Sequence, residues 1–187
     1  MSRFTQTCLP LTGLTLLKRQ RSGDDRGFFS RIFCAETLRS IGWDKPISQI
    51  NHTYTKKKGT VRGLHFQRPP YSEIKLVTVL CGEVWDLAVD LREESTTYLH
   101  WHAELLSKGN GRAMLVPEGF AHGFQTMTDD VELLYCHSAV YNRSAEAGLS
   151  PVDPRLNIKW PMDICELSHR DKNHPLIDQS FVGFTAL

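Results

Sequence analysis

The apolar positions of the chain gather into short runs rich in β-branched and aromatic residues, and these runs dominate its middle. From Ile74 to Arg92, IKLVTVLCGEVWDLAVDLR is broken at Cys81-Gly82, a pattern that predicts two strands joined by a turn. YLHWHAELLS, GRAMLVPEGFAHGF and VELLYCHSAVY (Val131 to Tyr141) continue it, and GTVRGLHFQRPP (Gly59 to Pro70) places another strand before a Pro-Pro stop. Helical patterning is confined to the flanks: AETLRSIG near the start, and a turn or two after Pro161. The tail from Asp171 to Leu187 is expected to be irregular. Short strands at this spacing predict a sandwich or barrel, so the expected fold is mostly β, with short flanking helices.

Length and charge narrow the picture. The 187 residues suit one well-buried domain spanning residues 1–187. Lysine plus arginine number 22 against 21 aspartate plus glutamate, which leaves no strong field for a nucleic acid or an anionic membrane. No apolar run approaches the ~20 residues of a membrane helix, and MSRFTQTCLP lacks the pattern of a signal peptide. Cys8, Cys34, Cys81, Cys136 and Cys165 are odd in number and scattered, with no CxxC, so free thiols in a reducing cytoplasm are expected.

His65 lies inside the strand-like GTVRGLHFQ, and the spacing around it is informative. From Gly111, GRAMLVPEGFAH reads G-x5-P-x-G-x2-H and ends at His122; from Gly59, GTVRGLH reads G-x5-H. These resemble the second motif and the opening of the first motif of the cupin family, which implies a jelly-roll barrel. Metal-binding cupins continue with a second histidine and a glutamate, where this chain has Gln67 and Lys75. An ammonium has no lone pair to offer a cation and repels it, so neither metal nor other cofactor is expected. A rival metal reading rests on HWH, with His100 and His102 on one face of a strand, but no third acidic ligand stands out beside them in sequence. His52, His137, His169 and His174 read as ordinary surface or loop histidines.

A barrel pocket with histidine, lysine and no metal suits proton chemistry. Neutral imidazole is a competent base near pH 7. An ammonium can hold the charge that develops when a proton leaves carbon next to a carbonyl. Tyr135, in LLYCHSAVY, could return a proton from another side. Together the three suit epimerisation through an enolate; singly, a strand tyrosine is more often core and a strand lysine more often solvated edge.

From about Gly23 to Asp178 the chain resembles the dTDP-4-dehydrorhamnose 3,5-epimerase family, a metal-free cupin family. The resemblance is carried by GDDRGFF (Gly23 to Phe29), Gln49 and Asn51, KGTVRGLHFQ (Lys58 to Gln67), KLV (Lys75 to Val77), GEVWDLAVDLR (Gly82 to Arg92), PEGFAHGF (Pro117 to Phe124), LLY with the later Tyr141, DPRLNIKWP and LSHRD. It implies His65 as catalytic base, Asp171 as its orienting partner, Tyr135 as general acid and Lys75 beside the C4 oxygen. It further implies that Arg26, Gln49, Asn51, Arg62, His122, Tyr141, Glu146 and Arg170 grip a nucleotide sugar, the arginines meeting phosphate oxygens two at a time. A homodimer with an exchanged N-terminal strand is also implied, with Arg26 serving the neighbour's site.

Two positions depart from the family's pattern. Arg31 stands where an acidic residue is usual, and Arg170 replaces a lysine before the aspartate. The expected activity is inversion at C3 and C5 of a 4-keto-6-deoxyhexose nucleotide, dTDP-4-dehydro-6-deoxy-D-glucose first. A C3-only epimerase, an epimerase for another nucleotide sugar and a non-catalytic sugar-binding cupin are the alternatives.

Overall fold

Two antiparallel sheets face one another in the computed structural model, which describes residues 3–184. The first has six strands in the order β1 (Phe4–Cys8), β2 (Thr15–Arg19), β10 (Arg112–Val116), β7 (Lys75–Cys81), β12 (Val131–His137) and β5 (Gln49–Thr55). The second has five, in the order β13 (Glu146–Gly148), β6 (Val61–Gln67), β11 (Phe120–Thr126), β8 (Glu83–Asp90) and β9 (Trp101–Ser107). β3 (Arg21–Asp24) and β4 (Gly27–Ser30) form a separate two-stranded ribbon. This is a cupin-type jelly-roll barrel, as the motif spacing predicts.

Strand alternation sorts the side chains into three packed layers. Val77, Val79, Val84, Ala88, Met114, Phe124 and Leu133 pack between the sheets. On the back of the six-stranded sheet, Leu17, Leu76, Ala113, Leu115 and Cys136 are covered by the segment carrying α1 (Ala35–Arg39), through Leu38 and Trp43. On the back of the five-stranded sheet, Leu64, Leu87, Val89 and Ala121 lie under the C-terminal segment, through Leu156, Ile177 and Phe184. Both sheets are therefore buried on two faces, so their central strands read as nearly continuous apolar runs rather than alternating ones. Each fully buried leucine contributes roughly 1.5–3 kcal/mol.

The break at Cys81-Gly82 is the corner where the chain passes from β7 in the six-stranded sheet to β8 in the five-stranded sheet. Gly82 has φ +74°, and a Cβ there would lie 2.6 Å from Thr128 Oγ1 and 2.8 Å from a Val131 methyl. A second close approach positions the site. A Cβ on Gly63 would lie 2.7 Å from Gly123 Cα, and one on Gly123 would lie 2.8 Å from Leu64 Cδ2. With no side chains in the way, β6 and β11 come together where His65 and His122 are cross-strand partners.

Three local expectations are corrected. The segment after Pro161 is not helical; the second helix, α2 (His169–Lys172), begins only at His169, because Ser168 provides the N-cap by accepting from Asp171 N. Asp171 thus belongs to a capped helix rather than to an irregular tail. The rest of the described tail, 173–184, is irregular but tied down, with Leu91 and Phe184 hydrogen-bonded and Ile177 buried; residues 185–187 lie outside the described residues. β9 begins at Trp101, so His100 lies just outside the strand, after the 96–99 turn, rather than within it beside His102. Among the described residues no helix is long and apolar enough to cross a membrane.

Candidate active site

At one end of the barrel the inward-facing positions turn polar and line a cavity of about 280 Å³. The five-stranded sheet contributes Arg62 and His65 of β6 and His122 of β11. The six-stranded sheet contributes Gln49 and Asn51 of β5, Lys75 of β7 and Tyr135 of β12, while Tyr141, Glu146 and Arg170 complete the lining. The two sheets face each other across the cavity, so His65 enters from one side and Tyr135 from the other.

Asp171 stands behind His65 and is 2% exposed. Its Oδ1 lies 2.7 Å from His65 Nε2, and its Oδ2 accepts from Gly63 N at 3.3 Å. Arg170 also has a guanidinium nitrogen 3.1 Å from His65 Nε2. A guanidinium only donates and a carboxylate only accepts, so a bare Nε2 would set two acceptors face to face at the shorter distance. The consistent tautomer carries the proton on Nε2, donates it to Asp171 and leaves Nδ1 with a free lone pair. Burial pushes the Asp171 carboxyl up, but the His65 hydrogen bond and charge, Gly63 N–H and Ser168 together hold it below the usual carboxylate range.

Lys75 is held from two sides. Its Nζ donates to His65 O at 3.3 Å and pairs with Glu73 Oε1 at 3.2 Å. Glu73 Oε2 lies 2.9 Å from His137 Nδ1, and His137 is the cross-strand partner of Lys75. Burial raises the Glu73 carboxyl, yet His137 and Lys75 outweigh it and hold the group low. Asp171 and Glu73 therefore both contribute stability that is present above their unfolded pKa values and is lost as pH falls through their lower folded values. Thermal unfolding should show Tm falling as pH drops below ~4, less steeply in Asp171→Asn. Equal slopes in the two proteins would mean that Asp171 is unpaired in solution.

Tyr135 is 9% exposed, stacked on His137 with ring centroids 5.9 Å apart and edge-on to His122 at 6.0 Å. Burial, then the Asp86 charge, drives its phenol well above the ordinary tyrosine value; Thr53 and Arg62 pull the other way. The group stays protonated throughout the physiological range. His122 is oriented by Asp86, whose Oδ1 lies 2.9 Å from His122 Nε2 and which is fully buried. At the rim Tyr141 donates to Glu146 at 2.9 Å, and Glu146 also pairs with Arg170.

Arg26 is not part of this cavity. It sits between β3 and β4, paired with Asp24 and with its side chain 90% exposed. Phe28 and Phe29 of the same ribbon are 53% and 60% exposed.

Sequence reasoning missed four residues. His137 is buried in the cavity wall and His174 packs against the His65–Asp171 pair, with its Nε2 3.5 Å from Asp171 Oδ1, so neither is an ordinary surface histidine. Glu73 and Asp86 supply the buried carboxylates. Parity carried the signal for three of them: Glu73 precedes Lys75 by two positions, His137 follows Tyr135 by two, and Asp86 shares the inward phase of Val84 and Ala88. Nothing local marks His174.

His65, Asp171 and His174 are the one group of three potential metal ligands that converges among the described residues. Arg170 places a guanidinium 3.1 Å from His65 Nε2 and 3.6 Å from Asp171 Oδ1, a position that repels a cation. Gln67 is committed elsewhere, donating to Tyr71 O and Val140 O and accepting from Asn142 N. His102 pairs with Glu104, itself bound to Arg112. Activity should therefore survive exhaustive chelation; stoichiometric metal in the purified protein, with activity lost on its removal, would overturn this.

A histidine–aspartate pair, a lysine and a buried phenol around one cavity of a cupin barrel offer a base, a cation and an acid, the groups an isomerase needs to move protons at carbon. Residues 8–179 match the family model described as dTDP-4-dehydrorhamnose 3,5-epimerase, and the chain belongs to that family. It is 39% identical over 179 residues to the dTDP-4-dehydrorhamnose 3,5-epimerase of Salmonella typhimurium, covering 95% of this chain and 96% of that one. It is 34% identical to the dTDP-4-dehydrorhamnose 3-epimerase of Streptomyces niveus, covering 92% and 83%. The Legionella pneumophila dTDP-6-deoxy-D-glucose-3,5-epimerase, solved in complex with dTDP-4-keto-L-rhamnose, superposes with a TM-score of 0.88 at 34% identity, covering 92% of each chain.

Proposed function

We propose that this protein inverts C3 and C5 of dTDP-4-dehydro-6-deoxy-D-glucose to give dTDP-4-dehydro-L-rhamnose, without a cofactor. The observation that carries the reading is the placement of His65 and Tyr135 on opposite sheets around one cavity, with Lys75, on the Tyr135 sheet, hydrogen-bonded to the His65 carbonyl. The C–H bond beside the C4 ketone breaks, its proton goes to His65 Nδ1, and the electron pair moves onto the C4 oxygen as an enolate. Asp171 steadies the imidazolium and the Lys75 ammonium offsets the enolate charge. Tyr135 then delivers its phenolic proton to the opposite face of the carbon. Solvent restores both groups.

Gln49, Asn51, Arg62, His122, Tyr141, Glu146 and Arg170 bind the nucleotide sugar in this reading, the arginines at the diphosphate. Arg26 joins them from a second copy. A homodimer that exchanges the N-terminal β3–β4 ribbon would cover Phe28 and Phe29 and bring Arg26 to the partner's cavity. Five free thiols suit a reducing cytoplasm, and the chain acts as a single epimerase domain.

The Streptomyces niveus relative, named as a 3-epimerase, supports a second reading in which only C3 inverts. The exposed Arg31, where the family pattern is acidic, supports another nucleotide. Incubating the dTDP sugar in deuterium oxide separates these readings. Label at C3 and C5 supports the 3,5-epimerase, and label at C3 alone supports the monoepimerase. No label with the dTDP sugar, but label with another nucleotide, moves the substrate; none with any leaves a sugar-binding protein.

A further inference from the structure

A chain of hydrogen bonds runs with one polarity from the rim of the cavity inward to Glu73, where Lys75 meets it by donating from the other side. Tyr141 N donates to Gln49 Oε1 at 3.0 Å, and Gln49 Nε2 donates to Asn51 Oδ1 at 3.0 Å. Asn51 Nδ2 lies 3.3 Å from His137 Nε2, His137 Nδ1 lies 2.9 Å from Glu73 Oε2, and Glu73 Oε1 takes the Lys75 ammonium at 3.2 Å. Both ends are groups that cannot reverse: a backbone N–H at the rim and an ammonium inside. Working inward from Tyr141, each amide must present its oxygen outward and its nitrogen inward. His137 is then neutral, accepts at Nε2 and donates from Nδ1. That is the tautomer Glu73 requires, since its carboxylate accepts from both sides.

We propose that Glu73 and His137 are positioning residues that aim the Lys75 ammonium at the developing C4 oxyanion, with Glu73 clamping the lysine and His137 locking Glu73. The proposal rests on the epimerase reading above. A lysine on a flexible stem stabilises an enolate only if its charge is already in place when the proton leaves. Glu73 and Lys75 side chains are 10% and 9% exposed, so little water is present to substitute for the clamp. His137 adds a second constraint by stacking on Tyr135. Through Asn51 and Gln49 the clamp is continuous with side chains that contact the nucleotide sugar in that reading.

Histidine isosteres separate clamp from packing. An asparagine nitrogen reaches the place of Nδ1 and can still donate to Glu73; a glutamine reaches the place of Nε2 and cannot. In deuterium oxide with saturating dTDP sugar, Glu73→Gln and His137→Gln should each slow label incorporation by ~10-fold, with KM changed less than ~3-fold. His137→Asn should recover incorporation to within ~3-fold of the unaltered protein. Equal losses in His137→Asn and His137→Gln, or full exchange in Glu73→Gln, would overturn the clamp. So would effects confined to KM, or confined to Tm with normal exchange in what remains folded. The unaltered protein run in parallel keeps the two ideas apart: if it incorporates no label, the epimerase reading has failed and the clamp falls with it. If it incorporates label normally and the variants do too, only the clamp has failed.

Discussion

His65→Asn is expected to lower kcat by ~10²–10⁴-fold while leaving nucleotide-sugar affinity nearly unchanged. The expectation follows from the hydrogen bonds around the ring. Asp171 takes the Nε2 proton at 2.7 Å, so Nδ1 is the basic atom, and no other inward-facing group on β6 can replace it. Arg62 and Gln67 flank His65 on the strand, and neither is a base near neutral pH. Affinity should hold because the diphosphate and sugar contacts in this reading come from Arg62, Arg170, Gln49 and Asn51, whose partners are other than His65 except for Arg170. Steady-state kinetics beside calorimetric titration with the dTDP nucleotide would check both quantities. A large loss of affinity with kcat preserved would make His65 a binding residue, and the lone pair on Nδ1 would have no catalytic meaning.

Much of this site was legible along the chain because strands preserve phase. The G-x5-H and G-x5-P-x-G-x2-H spacings place His65 and His122 on β6 and β11, where they are cross-strand partners. Lys75 and Tyr135 fall on neighbouring strands β7 and β12, in the same inward phase as Val77 and Leu133. Pairings across distant segments are a different matter. His65 and Asp171 are 106 residues apart, and nothing about either residue's neighbours predicts the contact; only resemblance to a family suggested it. His174 was misread for the same reason: it reaches the pair because the chain after α2 folds back across β13, where a Cβ on Gly148 would collide with its ring. His137, expected at the surface, lies in the cavity wall because it shares the inward phase of Tyr135, two positions earlier on β12. Helix prediction after Pro161 failed on a long-range point, since Cys165 and Glu166 hydrogen-bond to Gly59 and Val61 in a bridge beside Thr60, and a helix starts only after the Ser168 cap.

Tyr135→Phe and Lys75→Ala should fail at different steps, and the contrast tests the assignment of proton roles more sharply than loss of activity does. In the proposed mechanism, abstraction requires the His65 base and charge compensation at C4 from Lys75; it does not require the phenol. Tyr135→Phe should therefore still exchange substrate hydrogen for deuterium, returning the label mainly to the face the proton left. Net epimerised product should fall much further than exchange, by ~10²-fold or more if the phenol is the principal acid. The substitution keeps the ring that stacks on His137 and leans on His122, so the cavity wall is preserved. The Tyr135 phenol is pushed far above its ordinary pKa, chiefly by burial, and so remains protonated well past neutrality. Product formation in the unaltered protein should accordingly show no alkaline decline from Tyr135 below pH ~10. Lys75→Ala removes the charge that offsets the enolate in this reading and leaves Glu73 buried without its cation; exchange and product should drop together. Mass spectrometry of recovered substrate and product in deuterium oxide reads both quantities from one sample. If Tyr135→Phe abolishes exchange as completely as Lys75→Ala, the phenol acts before or during abstraction, and the general acid must be sought among the other groups facing the cavity.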